Sequence, residues 1–470
     1  MVLFPSIKMT DTIVAIATGQ GGALAIVRTS GPKAVSATAS IFRFSLQTEQ
    51  AHRLSDCPAG TFHHGWIAFG DEIVDEVIVS LYRAPHSYTG EDATEITCHG
   101  SPYILQRIIE SLLHEGCRVA EPGEFTKLAF LNHRMDLSQA EAVADLIAST
   151  TEAAHRMALN QMRGLYSSRL RELRRRLLDL TTLVELELDF SDQEDARFAD
   201  RQELLLRIEA VEDHLRQLAG SFATGNAIKH GIPVVIVGAV NVGKSMLLNR
   251  LTGDERAIVS STEGTTRDAI EDTITINGVG FRLIDTAGLR PTTDEVEQMG
   301  IAVTYRKLHQ ATIVVRLCES SRPTPPSDEL LRLCEGKTLI CALNKSDLLP
   351  AVPSEPSDAL KKSMRCEDVV YISAKTGYGI DRLTRLISAA VPLSDLASGD
   401  IVISNSRHYD AIIKALDAAR RAHQGLNMEL PTDLLAQDLR ECIAHLSEII
   451  GDITTDETLS SIFSHFCIGK

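Results

Sequence analysis

Residues 232–245 read Ile232-Pro-Val-Val-Ile-Val-Gly-Ala-Val-Asn-Val-Gly-Lys-Ser245. An apolar run of this kind is the pattern of a strand buried on both faces. It leads directly into the spacing GxxxxGK[ST], which opens a helical pattern, so strand, loop and helix follow in the order that a phosphate-binding loop requires. The residue types suit an anion. Glycines let backbone N–H groups approach the phosphates, Lys244 neutralises β/γ oxygens, and the Ser245 hydroxyl can ligate Mg²⁺, with Asn241, Val242, Gly243 and Met246 as the other positions facing the nucleotide.

Four further motifs follow in order. Thr265-Thr-Arg-Asp268 supplies a switch threonine, Thr266, whose hydroxyl can join the Mg²⁺ shell. A hairpin pattern, Ile270–Ile276, Asn277-Gly278 and Gly280–Ile284, ends in Asp285-Thr286-Ala287-Gly288, where Asp285 can act on Mg²⁺ through water and Gly288 can donate to the γ-phosphate. The strand 338–343 delivers Asn344-Lys345-Ser346-Asp347. The Asp347 carboxylate can take both N–H donors of the guanine edge, which adenine cannot offer, and a mismatched base would forfeit up to about 10⁴-fold. A last strand, 369–372, runs into Ser373-Ala374-Lys375, whose backbone can contact the guanine carbonyl. GTP is the expected nucleotide. Leu289 stands where many switch GTPases carry a water-orienting glutamine, so another group must do that work. Arg290 is either a charge-stabilising residue or a solvated one, and Asn241 either caps its loop or holds a monovalent cation that replaces an arginine finger.

The chain has 470 residues, 44% hydrophobic and 23% charged, with a formal net charge of -16 and a pI near 5.4. That length exceeds one core and the composition is globular. The negative charge disfavours bulk binding of nucleic acid, which would need a local basic patch or a partner. Nine cysteines show no CxxC pair and no disulfide framework, and no apolar run has the length of a membrane span; a cytoplasmic protein that does not enter the membrane is expected. Ahead of the phosphate loop, strand runs at 12–17, 23–28, 72–82 and 95–98 precede a helix at 103–114. From Ser138, with Glu141 at capping-box spacing, the stripe Leu159, Met162, Tyr166, Leu170, Leu173, Leu177, Leu180, Val184 predicts one long amphipathic helix. A second stripe from Leu204 to Phe222, with Asp200 and Glu203 placed to cap it, completes a helical hairpin, and the same grammar returns at 412–421 and 435–450. The expected fold is multidomain: an α+β N-terminal domain (1–131), a discontinuous α-helical domain (132–229 and 393–470), and an inserted α/β P-loop domain of the Ras-like GTPase kind (230–392).

Together these residues resemble the tRNA-modification GTPase family MnmE, also called TrmE. The likeness runs nearly end to end. It rests on Asp11–Thr18, Thr89-Gly-Glu-Asp92, His99-Gly100, Pro122-Gly-Glu-Phe125, Ala129-Phe-Leu-Asn132, the Asn241 loop, Gly264-Thr-Thr-Arg-Asp268, Asp285–Arg290 and the ending Phe466-Cys-Ile-Gly-Lys470. The resemblance implies a homodimer, formed through an N-terminal domain that also binds folate. It further implies a heterotetramer with an FAD-containing partner, MnmG (GidA). The pair would add an aminomethyl or carboxymethylaminomethyl group to the wobble uridine of tRNA, the one-carbon unit coming from formyl- or methylene-tetrahydrofolate. It implies K⁺ at Asn241, Ser260, Thr262 and Thr265, with Ser261 in the same nucleotide-facing segment. It maps a water-positioning glutamate onto Glu297, folate contacts onto Arg28, Glu95, Arg134 and Lys470, and a chemical role onto Cys467. The segment Thr18-Gly-Gln-Gly-Gly22 is shorter than the family's Pro-Pro-Gly-Arg-Gly-Gly stretch and lacks its arginine. The ending has the outline of a prenylation box, which Gly469 and Lys470 fit poorly. A GTPase switch in ribosome assembly is the competing reading, and it leaves the N-terminal domain without a task.

Overall fold

The computed structural model describes residues 11–19, 21–46, 53–189, 201–253, 272–285, 307–391, 402–428, 430–464 and 466–469. These divide into two compact units, one of residues 1–144, 161–172 and 446–470, the other of residues 145–160 and 173–445.

The first unit is built on seven strands: β1 (Thr12–Ile16), β2 (Leu24–Ser30), β3 (Phe42–Arg43), β4 (Thr61–Phe69), β5 (Glu72–Tyr82), β6 (Ala93–His99) and β7 (Cys117–Val119). Their order is β3-β4-β5-β6-β2-β1-β7, antiparallel except for the β1–β7 pair. The expected strand runs and the helix at 103–114 are all present. Period-2 alternation divides the faces. Val14, Ala25, Val27, Val79 and Ile96 form a core with Ile41 of α1 (Ala34–Ile41) and with Ile108 and Leu112 of α2 (Pro102–His114). Residues of the opposite parity, Arg28 on β2 and Glu95 on β6, stand directly across from each other on the other face. There Ile13, Ala15 and Ala120 pack on Phe125 of α3 (Glu124–Leu131).

Helix α4 (Leu137–Ala148) begins with a capping box, but not the expected one. Gln139 N–H donates to Asp136 Oδ1 and Asp136 N–H to Gln139 Oε1, each at 3.0 Å. Ser138, two residues late for that task, is buried and bonds to Ser167 Oγ instead. The predicted single long helix is also divided. It forms α5 (Glu152–Met162) and α6 (Leu165–Asp189), separated at Gly164, whose φ of 79° ends the first. The apolar stripe continues across the break because a left-handed glycine terminates a helix without shifting which residues are apolar.

In the second unit α6 is followed by α7 (Arg201–His230), which leads into β8 (Ile232–Gly238) and α8 (Lys244–Gly253). Then come β9 (Asp272–Ile276), β10 (Val279–Asp285), β11 (Ile313–Glu319), α9 (Asp328–Leu333), β12 (Thr338–Asn344), α10 (Asp358–Met364), β13 (Asp368–Tyr371) and α11 (Ile380–Ala389). The sheet order is β13-β12-β11-β8-β10-β9, parallel save for the β9–β10 hairpin, whose turn residues Asn277 and Gly278 both have positive φ as its type demands. Leu247, Leu251, Leu383 and Ile387 cover one face, and Leu308, Leu330 and Cys334 cover the other.

The helical segments on the two sides of this sheet domain in the sequence are one structure. Leu180 and Val184 of α6, Leu204 and Ile208 of α7, Ala422 and Leu426 of α12 (Ser406–Asn427), and Leu435 and Leu439 of α13 (Thr432–Ile450) surround one small apolar interior. Phe222 stacks on Tyr409 at 4.3 Å. In the first unit a last helix, α14 (Asp456–Phe463), brings Leu459 and Phe463 against Phe130 and Leu137. Two glycines of α7 give a paired test. A Cβ on Gly225 would overlap the Ile403 carbonyl, whereas one on Gly220 meets nothing within 4 Å. Gly225→Ala is expected to lower stability by about 1–3 kcal/mol and Gly220→Ala to raise it by about 0.5–1 kcal/mol, both read by urea unfolding of the full chain.

Candidate functional site

The buried strand β8 ends at Gly238, where a Cβ would lie 2.5 Å from the carbonyl oxygen of Leu317. Only glycine lets the loop turn this close to β11. Asn241 (φ 64°) and Gly243 (φ 103°) take left-handed conformations, which turn successive N–H groups toward one side and form a concave anion site at the start of α8. Asn241 is exposed at its rim, as is Met246. Ser245, the expected Mg²⁺ ligand, is exposed in the first turn of α8. Lys244 Nζ reaches back over the loop to the carbonyls of Gly238 (2.9 Å) and Ala239 (3.0 Å). The residues present therefore fit a polyphosphate.

Asn344, 2% exposed, joins this loop to the Ser373–Lys375 turn, the expected base-recognition segment. Its Nδ2 donates to the Val242 carbonyl at 2.8 Å and its Oδ1 accepts from Ala374 N–H at 2.9 Å. Gly243 is required beside it, since a Cβ there would overlap Asn344 Nδ2. Ser373, fully buried, donates through Oγ to Asp347 Oδ1 at 2.6 Å and accepts from Thr376 N–H at 3.2 Å. Asp347 is exposed, held on one side by this bond. Lys345 takes a left-handed turn and pairs with Glu319 at the end of β11. Sequence reading does not single out Glu319 or Arg250, because neither falls in a motif. Asp285 closes β10 beside Ile236 of β8. Ser260, Ser261, Thr262, Thr265, Thr266, Thr286, Ala287, Gly288, Glu297 and Lys470 lie outside the described residues, as does Asp200.

The first unit holds a separate cavity of about 400 Å³, whose lining includes Arg28, Tyr82, Tyr88, Glu95, Phe125 and Arg134. The three expected ligand contacts that the structure describes thus share one chamber. The β2–β6 register sets Arg28 against Glu95, Nε to Oε1 2.9 Å and Nη2 to Oε1 2.8 Å, while the guanidinium lies 5.6 Å from the Tyr88 ring and 5.7 Å from the Phe125 ring. Burial raises the pKa of the Tyr88 phenol, whose hydroxyl bonds to Thr126 Oγ1 at 2.9 Å. Glu91, its pKa raised by burial, accepts from the Oγ of the lining residue Ser30 at 2.7 Å. The last described residues are tied to this unit. Ile468 bridges Pro122, Gly123 N–H donates to the Cys467 carbonyl at 3.3 Å, and Arg28 Nη1 donates to the Gly469 carbonyl at 3.5 Å. Cys467 itself is exposed and a free thiol. Tyr88 and Phe125 escape sequence reading as site residues, although each adjoins or ends a quoted motif.

The strand order, the glycine-shaped loop at the head of α8 and the Asn344 link to the base segments define a P-loop GTPase. Comparison with known proteins narrows this. A family model described as "MnmE helical domain" matches residues 137–467, and one described as "GTP-binding protein TrmE N-terminus" matches residues 12–134. The chain is 50% identical over 466 residues to a protein of Bacteroides thetaiotaomicron named tRNA modification GTPase MnmE, covering 98% of this chain and 99% of that one. Proteins of the same name from Phocaeicola vulgatus and Porphyromonas gingivalis are 48% and 47% identical, with 98% of this chain covered in both. The chain belongs to the MnmE family. A solved structure of Aquifex aeolicus Era, a point variant bound to GDP.AlF4-, is 28% identical over 40% of this chain and 66% of that one, at a TM-score of 0.28. Among the described residues no helix is long and apolar enough to cross a membrane.

Asn344→Ala would leave the Val242 carbonyl and the Ala374 N–H buried without partners, at about 1–3 kcal/mol each. GDP binding to the full chain is expected to weaken roughly tenfold or more, measured by calorimetric titration, with a lowered thermal midpoint.

Proposed function

We propose that this protein is a potassium-activated GTPase which, with a flavoprotein partner of the MnmG (GidA) type, adds a carboxymethylaminomethyl or aminomethyl group to the wobble uridine of tRNA in the cytoplasm. The observation that carries the reading is the coexistence, in a chain of this family, of a phosphate loop with Asn241 at its rim and a cavity lined by Arg28, Glu95 and Arg134. An α+β domain at 1–131, a helical domain at 132–229 and 393–470 and a GTPase domain at 230–392 remain the proposed division. The active form is a homodimer, assembled with the partner into a heterotetramer.

In this reading the loop amides of residues 241–245 and Lys244 bind the phosphates of GTP. Mg²⁺ would be held by Ser245 and Thr266 with the Asp285 carboxylate, and K⁺ by Asn241, Ser260, Thr262 and Thr265. Bound there, the two cations would supply positive charge where hydrolysis builds negative charge. Val242, Met246, Ser261, Thr286, Ala287 and Gly288 complete the phosphate side, Glu297 orients water, and Asn344, Lys345, Asp347, Ser373, Ala374 and Lys375 bind guanine. A formyl- or methylene-tetrahydrofolate suits the cavity chemically, since Tyr88 and Phe125 offer aromatic faces to a planar ring and Arg28 and Arg134 offer cationic partners to its carboxylates. Lys470 would add a further cation, and Cys467 would place its thiol for the transfer chemistry.

Hydrolysis of GTP by the purified chain is expected to be roughly tenfold or more faster in potassium than in sodium chloride at equal ionic strength, and Asn241→Ala is expected to abolish the difference. Equal rates in the two salts would remove the cation mechanism. Mass spectrometry of tRNA nucleosides from cells lacking the chain is expected to show loss of the modified wobble uridine, and unchanged tRNA would overturn the function itself.

A further inference from the structure

Arg250 lies on α8, the helix that begins at Lys244. Its guanidinium reaches the Ser373–Lys375 turn. Nη2 donates to the Lys375 carbonyl at 2.8 Å and Nε to the Ala374 carbonyl at 3.4 Å. A planar guanidinium can grip two successive carbonyls at once, which a point-charge ammonium cannot do with the same geometry.

The consequence follows from peptide geometry. Each trans peptide points its carbonyl and the next N–H in opposite directions, so a carbonyl that is held fixes the N–H beyond it. Holding the Lys375 carbonyl directs Thr376 N–H, which donates to Ser373 Oγ at 3.2 Å. Holding the Ala374 carbonyl directs Lys375 N–H. The Ala374 N–H is already spent on Asn344 Oδ1 at 2.9 Å, while Lys375 N–H makes no backbone hydrogen bond among the described residues. It is the donor of this turn that remains for a ligand.

We infer that Arg250 is a positioning residue for guanine recognition: by holding the two carbonyls it fixes Lys375 N–H as the donor to the purine's O6. This rests on the reading of Asp347 and Ser373–Lys375 as the base site. Arg250 acts on the turn rather than on base or phosphate, so its effect must pass through one atom of the ligand, which makes it separable from general stabilisation.

The test is a set of equilibrium dissociation constants for the full chain with three nucleotides. GDP has O6, 6-thio-GDP carries a weakly accepting sulfur in its place, and IDP keeps O6 but lacks the 2-amino group that Asp347 would bind. Wild type is expected to prefer GDP over 6-thio-GDP roughly fivefold to tenfold. Arg250→Ala is expected to weaken GDP and IDP by the same factor and leave 6-thio-GDP nearly unchanged, so that the GDP to 6-thio-GDP preference collapses toward one. Arg250→Lys, which keeps the charge but not the planar fork, should restore part of that preference and guards against a poorly folded alanine variant. Retention of the wild-type preference by Arg250→Ala, or an equal loss for all three nucleotides, would overturn the proposal. A wild type that does not distinguish GDP from 6-thio-GDP, or from IDP, would instead remove the base-site reading beneath it.

Discussion

Asn344 bonds in two directions at once, to the carbonyl of Val242 in the phosphate loop and to the N–H of Ala374 in the base turn. Both ends of a nucleotide site are thereby fixed by one buried side chain, and no apolar residue could do the same without stranding two backbone groups. The neighbouring features follow from this constraint. Gly243 lacks a side chain because Asn344 occupies the space. β11 and β12 are paired in register so that Cys318 and Leu343, then Glu319 and Asn344, end the strands together. Ser373 is buried under the same turn and holds Asp347. The site is thus a property of the parallel sheet's carboxyl edge, where ligands of open α/β folds gather.

The N-terminal cavity has a different origin. It is made by antiparallel register rather than by loop geometry. Because Arg28 and Glu95 are direct partners across β2 and β6, their pairing is fixed by the same alternation that buries Val27 and Ile96 on the opposite face. A one-residue slip would exchange core for cavity, so the hydrophobic pattern itself protects the charged pair. Gly123 and Gly469 serve the segment that follows α14: Gly123 N–H holds the Cys467 carbonyl, and a Cβ on Gly469 would overlap the Ile16 carbonyl.

The two sites differ in how far they can be read from sequence. The phosphate loop, the hairpin at Asn277-Gly278 and the base segments are local motifs whose spacing encodes their geometry, and the strands and loops stand where the residues place them. The helical stripe is also legible as an apolar face, but not as a count of helices, since Gly164 interrupts the backbone without interrupting the pattern. The capping residue escapes for a related reason: Asp136 and Gln139 have the same spacing as Ser138 and Glu141, and only burial of Ser138 against Ser167 distinguishes them. The cavity is legible only through family likeness. Arg28, Tyr88, Glu95 and Phe125 come from separate elements, and no period or spacing joins them. Arg250 is invisible in sequence because its role lies in a contact with a turn far along the chain.

The phosphate loop and the Ser373–Lys375 turn are locked together around Asn344, and the proposed function makes that turn the guanine-selecting one. Calorimetric titration of the full chain with GDP and, separately, ADP, in magnesium, tests this directly. GDP is expected to bind and ADP to be disfavoured by up to about 10⁴-fold. Equal affinity for the two, or binding of neither, would contradict it.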